Sequence, residues 1–346
     1  MGPHRLLPLS LVSLLAAAAL LGCGGGGGGS TASTSHAAVT SAPAPAKAGA
    51  GDIEAEFIQV IHDRSPAVVQ IRTKDGLGSG IAYDDKGDIV TNAHVVGTSK
   101  TFSVTLAAGD AHQAKLVGTF APDDLAVIRL DTGTVAAAPF ADSSKAEVGE
   151  LVLAIGNPLG LRSSVTQGII SSLGRTVSEG DGAVIQSAIQ TSAPINPGNS
   201  GGALVDLRGD VVGIPTLAAI DPQLGGGQAA GIGFAIPSNT IKRIADQLIA
   251  TGHVTRSGRA FLGIAIISPL DGGGVVAATV NKGGPADKAG MRPHDVIVKV
   301  DGKPTPTADE LATVLAGLAP GQKVPVEIKR AGKTLTLEVT LGENPG

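Results

Sequence analysis

The chain has 346 residues, of which 42% are hydrophobic, so it has enough apolar sequence for about two folded domains and is not a disordered protein. A formal net charge of −4 at pH 7 provides no basic field for nucleic acid, and nucleic-acid binding is not expected. The single cysteine excludes an intramolecular disulfide and a zinc site made of cysteine and histidine ligands.

Residues 1–23 have the pattern of an export signal, with Arg5 before an apolar run that begins at about Leu6. The ending at Leu20 to Cys23 resembles the bacterial lipobox, in which the cysteine becomes the acylated first residue of the mature protein. Secretory cleavage after an alanine, or an uncleaved anchor helix, would explain the same pattern. We favour a lipid anchor at Cys23, and all three interpretations place the folded domains outside the cytoplasm.

A flexible tether is predicted for residues 24–51, which contain six consecutive glycines followed by Ser, Thr, Ala and Pro. Helical spacing of apolar residues follows from Ile53 to Ile61, and Ser65-Pro66 ends this helix.

Residues 52–252 are expected to form one mainly β domain. From Ala67 to about Pro237, short runs rich in Val, Ile and Leu alternate with Gly, Asp or Pro turns, as in an all-β sandwich or barrel. A helix with Ser238 as its N-cap and Gly252 just past its end closes the domain.

Three residues of this domain are, in chain order, His94, Asp124 and Ser200. They are a base, an acid and a hydroxyl, the three groups that catalysis by a serine nucleophile requires. A hydroxyl is too weak an acid to attack unaided, so a histidine must accept its proton. An acid must then hold the imidazole tautomer and stabilise the imidazolium. Each residue alone is more often structural, but the order His, Asp, Ser is that of the chymotrypsin-type β-barrel proteases.

The segments TNAHVV, DLAVIRL, QTSAPINPGNSGGAL and GIGFAIP resemble the motif series of the HtrA/Deg family, trypsin-like proteases that carry a PDZ domain. The resemblance covers the chain from about Glu54 to its C-terminus. It implies a mainly β protein, in which a chymotrypsin-like double β-barrel protease domain is followed by a small α/β PDZ domain. It also implies that Ser200 is the nucleophile, His94 the general base and Asp124 the orienting acid.

The resemblance further implies an oxyanion hole at Gly198, Asn199 and Ser200. The backbone N–H groups of Gly198 and Ser200, with Asn199 between them, would point together at the developing negative charge. Such a backbone path is accessible to glycine and resisted by a residue with a Cβ atom. The glycines of GLGSG, residues 76–80, lead into a strand and lack the helix of a dinucleotide site.

Two positions near these motifs affect the assignment: the adjacent pair Asp123 and Asp124, and Ser192. Asp123 and Asp124 are adjacent, and the family motif has its acid directly before Leu-Ala-Val, which selects Asp124. We therefore expect Asp123 to be a solvated turn residue. Ser192 occupies a position where members of the family often have Asp. The network of contacts that supports the neighbouring loops is therefore expected to differ from that of those members.

By the same resemblance, four apolar residues line the S1 pocket, namely Ile195, Ala219, Ile220 and Ile232. No acidic residue is apparent there, as a pocket for Lys or Arg would require. We expect cleavage after medium aliphatic residues such as Val, Ile or Ala. Because folded proteins bury such residues, unfolded or misfolded proteins are the expected substrates.

A polar linker at residues 253–259 leads to residues 260–346, which resemble a bacterial PDZ domain. Its FLGI segment, formed by Phe261, Leu262, Gly263 and Ile264, resembles the loop that binds a peptide carboxylate, next to a strand edge that accepts the peptide as an added strand. A small α/β domain with an ordinary glycine turn is the alternative reading.

Two functions are consistent with these patterns. The first is a serine endopeptidase for protein quality control outside the cytoplasm, without metal or cofactor, assembled as a homotrimer or a larger oligomer. Phe57 would contribute either to that interface or to the core. The second is a proteolytically weak chaperone or PDZ peptide-binding scaffold on a protease fold, which an intact triad argues against.

Overall fold

The computed structural model describes residues 50–74, 76–157, 164–178, 183–196, 198–221, 227–267 and 273–345. The predicted export signal, Cys23 and the part of the predicted tether up to residue 49 lie outside the described residues. Among the helices that are described, none is both long and apolar enough to cross a membrane.

The first six described strands form a closed antiparallel barrel, in the order β1-β2-β3-β6-β5-β4. Val, Ile, Leu and two phenylalanines, Phe102 and Phe120, fill its interior. Pairing of β3 with β6 places Asn92 opposite Leu125, so the residues that follow β3 lie beside the residue that precedes β6. The strands are β1 (Val68–Arg72), β2 (Leu77–Ala82), β3 (Asp88–Asn92), β4 (Thr101–Thr105), β5 (Ala111–Phe120) and β6 (Leu125–Leu130).

The next six described strands form a second closed barrel, in the order β10-β11-β12-β9-β8-β7. Strand β10 lies between β7 and β11, with Ala203 opposite Ile155, and so fixes the loop that precedes it. The strands are β7 (Leu151–Gly156), β8 (Ser164–Ser178), β9 (Val184–Thr191), β10 (Ala203–Asp206), β11 (Val211–Asp221) and β12 (Gly227–Pro237).

Three helices accompany the barrels: α1 (Ala50–Arg64), α2 (Ala93–Val96) and α3 (Ser238–Thr251). In α1, Val60 is buried, and Phe57 is partly buried against the core. Of the two roles considered for Phe57, a core contact and an oligomer interface, the structure shows the core contact. Helix α3 buries one apolar face and is followed by Gly252 in a left-handed conformation, just past its end as predicted.

The predicted N-cap of α3 is wrong by one position. Pro237 occupies the cap, and Ser238 is the first helical residue. The hydroxyl of Ser238 instead donates a hydrogen bond to the carbonyl oxygen of Ala141 at 2.9 Å. A tertiary contact therefore takes the place of the local capping bond.

The C-terminal part has its own apolar core and a sheet in the order β14-β15-β16-β18-β19, with β17 beside β16. Strand β13 pairs with β20. Thr307 and Glu310 form a capping box at the start of α5, because each side chain binds the backbone N–H of the other. The elements are β13 (Ala260–Phe261), β14 (Ile264–Ile267), β15 (Val275–Val280), α4 (Pro285–Lys288), β16 (Val296–Val300), β17 (Lys303–Pro304), α5 (Ala308–Ala316), β18 (Lys323–Arg330), β19 (Lys333–Thr340) and β20 (Gly342–Glu343).

Candidate active site

The structure brings together the acid and the base that the sequence singled out. Asp124 Oδ2 lies 2.8 Å from His94 Nδ1, and Asp124 Oδ1 accepts a hydrogen bond from the backbone N–H of His94 at 2.9 Å. The carboxylate is almost fully buried, whereas 38% of the His94 side chain is exposed. An imidazole held through Nδ1 leaves its other nitrogen, Nε2, to accept a proton, which is what a general base requires.

Backbone contacts fix the position of Asp124. The residue adopts a left-handed conformation (φ 49°, ψ 43°) between a short 3-10 turn and β6. Its carbonyl oxygen accepts hydrogen bonds from Ala93 N–H at 3.0 Å and from Asn92 Nδ2 at 3.1 Å. A non-glycine residue in this region is strained and persists only where the surroundings hold it. The strand pairing of β3 and β6 therefore sets where the acid points.

Thr216, in β11, contacts both the acid and the proposed nucleophile. Its hydroxyl donates to Asp124 Oδ2 at 2.7 Å, and its carbonyl oxygen accepts from Ser200 Oγ at 3.0 Å. A carbonyl oxygen can only accept, so this contact orients the Ser200 hydroxyl hydrogen toward Thr216. Transfer of that proton to His94 requires the hydroxyl hydrogen to turn away from Thr216. No sequence motif marks Thr216, because the segment IPTL is an ordinary strand pattern.

The loop that carries Ser200 is bent around two glycines with positive φ. Gly198 has φ +118° and Gly201 has φ +78°, and a Cβ atom at Gly201 would collide with the carbonyl oxygen of Ser79. Residues other than glycine would be strained in both conformations. The loop therefore depends on glycine for its path as well as for its close contact with the first barrel.

Asn199 braces this loop. Its N–H donates to the carbonyl oxygen of Asn196 at 3.1 Å, and its side chain binds Asn196 N–H and the carbonyl oxygen of Pro194. By contrast, the N–H groups of Gly198 and Ser200 meet no acceptor within the described part of the chain. Of the three residues assigned to the oxyanion hole, Asn199 is thus the one whose N–H is engaged by the loop itself.

Asp123 is not the solvated turn residue that the sequence suggested. It is 2% exposed and forms a buried ion pair with the guanidinium of Arg259, which also donates to the carbonyl oxygen of Val184 at 2.7 Å. Burial raises the pKa of Asp123, and the charge of Arg259 offsets part of that rise. The segment leading to the PDZ domain is therefore bound directly to the residue next to Asp124.

Ser192 forms a reciprocal contact with Ile169 in β8. Its hydroxyl accepts from Ile169 N–H at 3.0 Å, and its own N–H donates to the carbonyl oxygen of Ile169 at 3.0 Å. A serine at this position thus supports the adjoining loop through the backbone of β8.

The residues assigned to the S1 pocket occupy different environments. Ile195 is 4% exposed and packs against the backbone of Gly233, where a Cβ atom would collide with it, while Ile232 is 37% exposed. Ala219 and Ile220 belong to β11, but their side chains lie outside the described part of the structure. A separate cavity of about 360 Å³ borders the His94–Asp124 pair and is lined mainly by small residues, namely Ala93, Gly97, Thr119, Ala121, Pro122 and Ala183.

The FLGI segment forms one wall of an apolar groove. A cavity of about 130 Å³ lies between residues 261–264 and α5, which contributes Leu311 and Leu315. Gly263 has φ +77°, and the N–H groups of Leu262 and Gly263 meet no acceptor among the described residues. Exposed Ile267 continues along β14 from the same loop.

Two family models match the chain. A trypsin-like peptidase domain matches residues 78–214, and a PDZ domain matches residues 260–341. The first range contains His94, Asp124 and Ser200, and the second contains the FLGI segment. Together the two barrels, the acid–base pair and the groove define a trypsin-like serine peptidase joined to a PDZ domain. The predicted fold class is confirmed.

Curated relatives and solved structures narrow this class. Serine endoprotease DegS of Escherichia coli K12 is 41% identical over 286 residues, covering 80% of this chain and 79% of DegS. The probable periplasmic serine endoprotease DegP-like of Chlamydia trachomatis is 39% identical over 279 residues and 78% of this chain, which spans only 54% of that relative. The chain belongs to the HtrA/Deg family of serine endoproteases.

Two solved structures are similar to this chain over most of its length. The crystal structure of the serine endoprotease from Yersinia pestis has 35% sequence identity and a TM-score of 0.57, covering 83% of this chain and 98% of its own. The HtrA-type protease AlgW with a tripeptide has 33% identity and a TM-score of 0.58, covering 84% of this chain and 98% of its own.

Proposed function

We propose that this protein is an exported serine endopeptidase that cleaves unfolded or misfolded proteins outside the cytoplasm, with Ser200 as nucleophile, His94 as general base and Asp124 as orienting acid. The observation that carries the proposal is a set of three contacts, one between Asp124 and His94 and two from Thr216, to Asp124 and to Ser200. A protein that only binds peptides does not require a buried carboxylate hydrogen-bonded to an imidazole.

The reaction follows from this arrangement. His94 takes the proton of Ser200 as Oγ attacks the scissile carbonyl carbon, and Asp124 stabilises the imidazolium that forms. The carbonyl oxygen becomes an oxyanion, for which the N–H groups of Gly198 and Ser200 are the proposed donors, since neither is used within the described residues. His94 then returns the proton to the leaving amine, and water hydrolyses the acyl-enzyme by the same steps in reverse order.

The proposed S1 pocket is apolar and consists of Ile195, Ala219, Ile220 and Ile232. Burial of Ile195 against Gly233 supports a hydrophobic floor, and a medium aliphatic side chain suits such a surface better than a charged one. Residues of this type become accessible when a protein unfolds, which is the basis for proposing unfolded or misfolded substrates.

Digestion of unfolded casein, followed by sequencing of the new N-termini, tests this function and its specificity together. We expect cleavage mainly after Val, Ile or Ala. Native, disulfide-intact ribonuclease A is the folded control, and we expect no cleavage of it under the same conditions. Cleavage mainly after Lys or Arg would contradict the pocket, and an absence of new N-termini would contradict the enzyme.

The groove between the FLGI segment and α5 is the proposed site for peptide C-termini. The N–H groups of Leu262 and Gly263, which meet no acceptor among the described residues, are suited to a carboxylate, and the edge of β14 is suited to an added strand. Bound peptides would recruit substrates or favour the active arrangement of the loops around Ser200.

The chain is proposed to reach the membrane through a lipid on Cys23. The tether predicted for residues 24–51, whose last two residues belong to α1, would lie between the anchor and the proposed protease domain of residues 52–252. The lipobox-like pattern supports the anchor. The relatives named periplasmic support export. Assembly as a homotrimer or larger oligomer is part of the same proposal and rests on family resemblance.

A further inference from the structure

One buried side chain of the first barrel reaches the nucleophile loop of the second. Ser79 lies in β2, within the glycine-rich segment GLGSG, and has no exposed surface. Its hydroxyl donates a hydrogen bond to the carbonyl oxygen of Gly198 at 2.5 Å. Its backbone N–H donates to the carbonyl oxygen of Ser200 at 3.2 Å. A single residue therefore holds the two carbonyl groups on either side of Asn199.

Ser79 is itself held from two further directions. Its hydroxyl oxygen accepts from the N–H of Asn157, directly after β7, at 2.8 Å. Its carbonyl oxygen accepts from the hydroxyl of Thr91, in β3, at 2.6 Å. Both of these neighbours are buried. A side chain with its rotamer fixed in this way is a rigid support for whatever it contacts.

The peptide groups that Ser79 holds are next in the chain to the peptide groups that carry the proposed oxyanion donors. Because a peptide group is planar, holding the Gly198 and Ser200 carbonyls fixes the 198–199 and 200–201 peptide groups. The N–H groups of Gly198 and Ser200 belong to the peptide groups 197–198 and 199–200. Along the chain the held groups thus alternate with the donor groups, and the donor group of Ser200 lies between two that are fixed.

Gly198 makes such support necessary. Its φ of +118° is open to glycine, but the same lack of a Cβ atom leaves the flanking peptide groups free to rotate. An oxyanion hole works because its donors are oriented before the reaction and need no rearrangement during it. A hydrogen bond to the Gly198 carbonyl removes that freedom in the resting enzyme.

We propose that Ser79 is a positioning residue for the oxyanion hole, which holds the N–H groups of Gly198 and Ser200 in register from the opposite barrel. The proposal rests on the proposed function, since it assumes that Ser200 is the nucleophile. Ser79 touches neither substrate nor His94 in this role and acts only through the loop.

The test compares the full-length protein with Ser79→Ala, using a peptide substrate with an aliphatic residue before the scissile bond. We expect kcat to fall by about 10- to 100-fold, less than the 10²- to 10³-fold loss typical when an oxyanion donor itself is removed. KM should stay within about twofold of the wild-type value, because the oxyanion donors that Ser79 positions act on the negative charge of the transition state and not on the bound substrate. The pH profile of kcat should keep its wild-type shape.

A second measurement separates positioning from a general loss of structure. A peptide boronic acid of the same sequence forms a tetrahedral adduct on Ser200 and directs an oxygen into the hole. We expect its inhibition constant to rise by about the same factor as kcat falls, as for a transition-state analogue. Ser238→Ala is the matched control, since it also removes a fully buried hydroxyl that donates to a backbone carbonyl, but it lies outside the catalytic machinery. Its kcat should be that of wild type.

The outcomes distinguish this inference from the function on which it rests. Wild-type protein that fails to hydrolyse the peptide, or a Ser200→Ala variant that hydrolyses it equally well, would overturn the proposed function. With that function intact, a wild-type kcat for Ser79→Ala would overturn the inference. So would an equal fall in Ser238→Ala, or a fall in kcat with an unchanged boronate inhibition constant.

Discussion

Asp124→Asn is expected to lower kcat by about 10⁴-fold, as loss of the acid does in serine proteases with this triad. The carboxylate accepts from His94 at Nδ1, over 2.8 Å. An asparagine can place its N–H₂ group there instead, which favours the imidazole tautomer with hydrogen on the nitrogen that should accept the serine proton. The base would then be present in the wrong form.

Steady-state hydrolysis of an aliphatic peptide by the purified variant measures this effect, with circular dichroism to verify folding. Asp206→Asn is the matched control, because Asp206 is also a buried carboxylate and binds Arg208 and two backbone N–H groups in the turn between β10 and β11. It should keep wild-type kcat. A kcat for Asp124→Asn within about tenfold of wild type would show that His94 does not depend on this acid.

Asp123→Ala is expected to destabilise the protein by about 3 to 5 kcal/mol, because it leaves the buried guanidinium of Arg259 without its counter-charge. Among the described residues, the hydrogen bond from Arg259 to the Val184 carbonyl would remain. For a domain of about 200 residues, such as the proposed protease domain, this corresponds to a fall in the midpoint of thermal unfolding of roughly 6 to 20 °C. Differential scanning calorimetry measures the shift.

Asp131→Ala provides the comparison at the surface. Asp131 pairs with Lys115 at 2.9 Å, but both side chains are substantially exposed, so its removal should change stability by less than about 1 kcal/mol. The double variant Asp123→Leu with Arg259→Met should recover most of the loss, since apolar packing can replace a buried ion pair. Equal midpoints for Asp123→Ala and Asp131→Ala would contradict a stabilising role for the buried pair.

The sequence predicted the short strands, because each strand depends on a local pattern of residues. Alternating apolar residues and glycine turns define strands wherever they pair. The motif around Asp124 also selected the carboxylate that the structure places beside His94. The same motif said nothing about its neighbour Asp123.

What could not be predicted depends on contacts between residues far apart in the chain. Asp123 was expected to be solvated because its partner, Arg259, lies 136 positions away in the segment leading to the PDZ domain. Thr216 and Ser79 carry no motif, and their roles arise only when β11 and β2 meet the nucleophile loop. Pattern and spacing describe a strand but not what lies across from it in another barrel.

Hydrolysis of unfolded casein by wild type and by Ser200→Ala tests the central claim most directly. We predict that wild type degrades casein and that Ser200→Ala loses activity by about 10⁶-fold, to the level of background. The substitution removes only an oxygen atom at a half-buried position, so the fold and the PDZ groove should be unaffected. Equal hydrolysis by the two proteins would contradict a serine peptidase mechanism at this site.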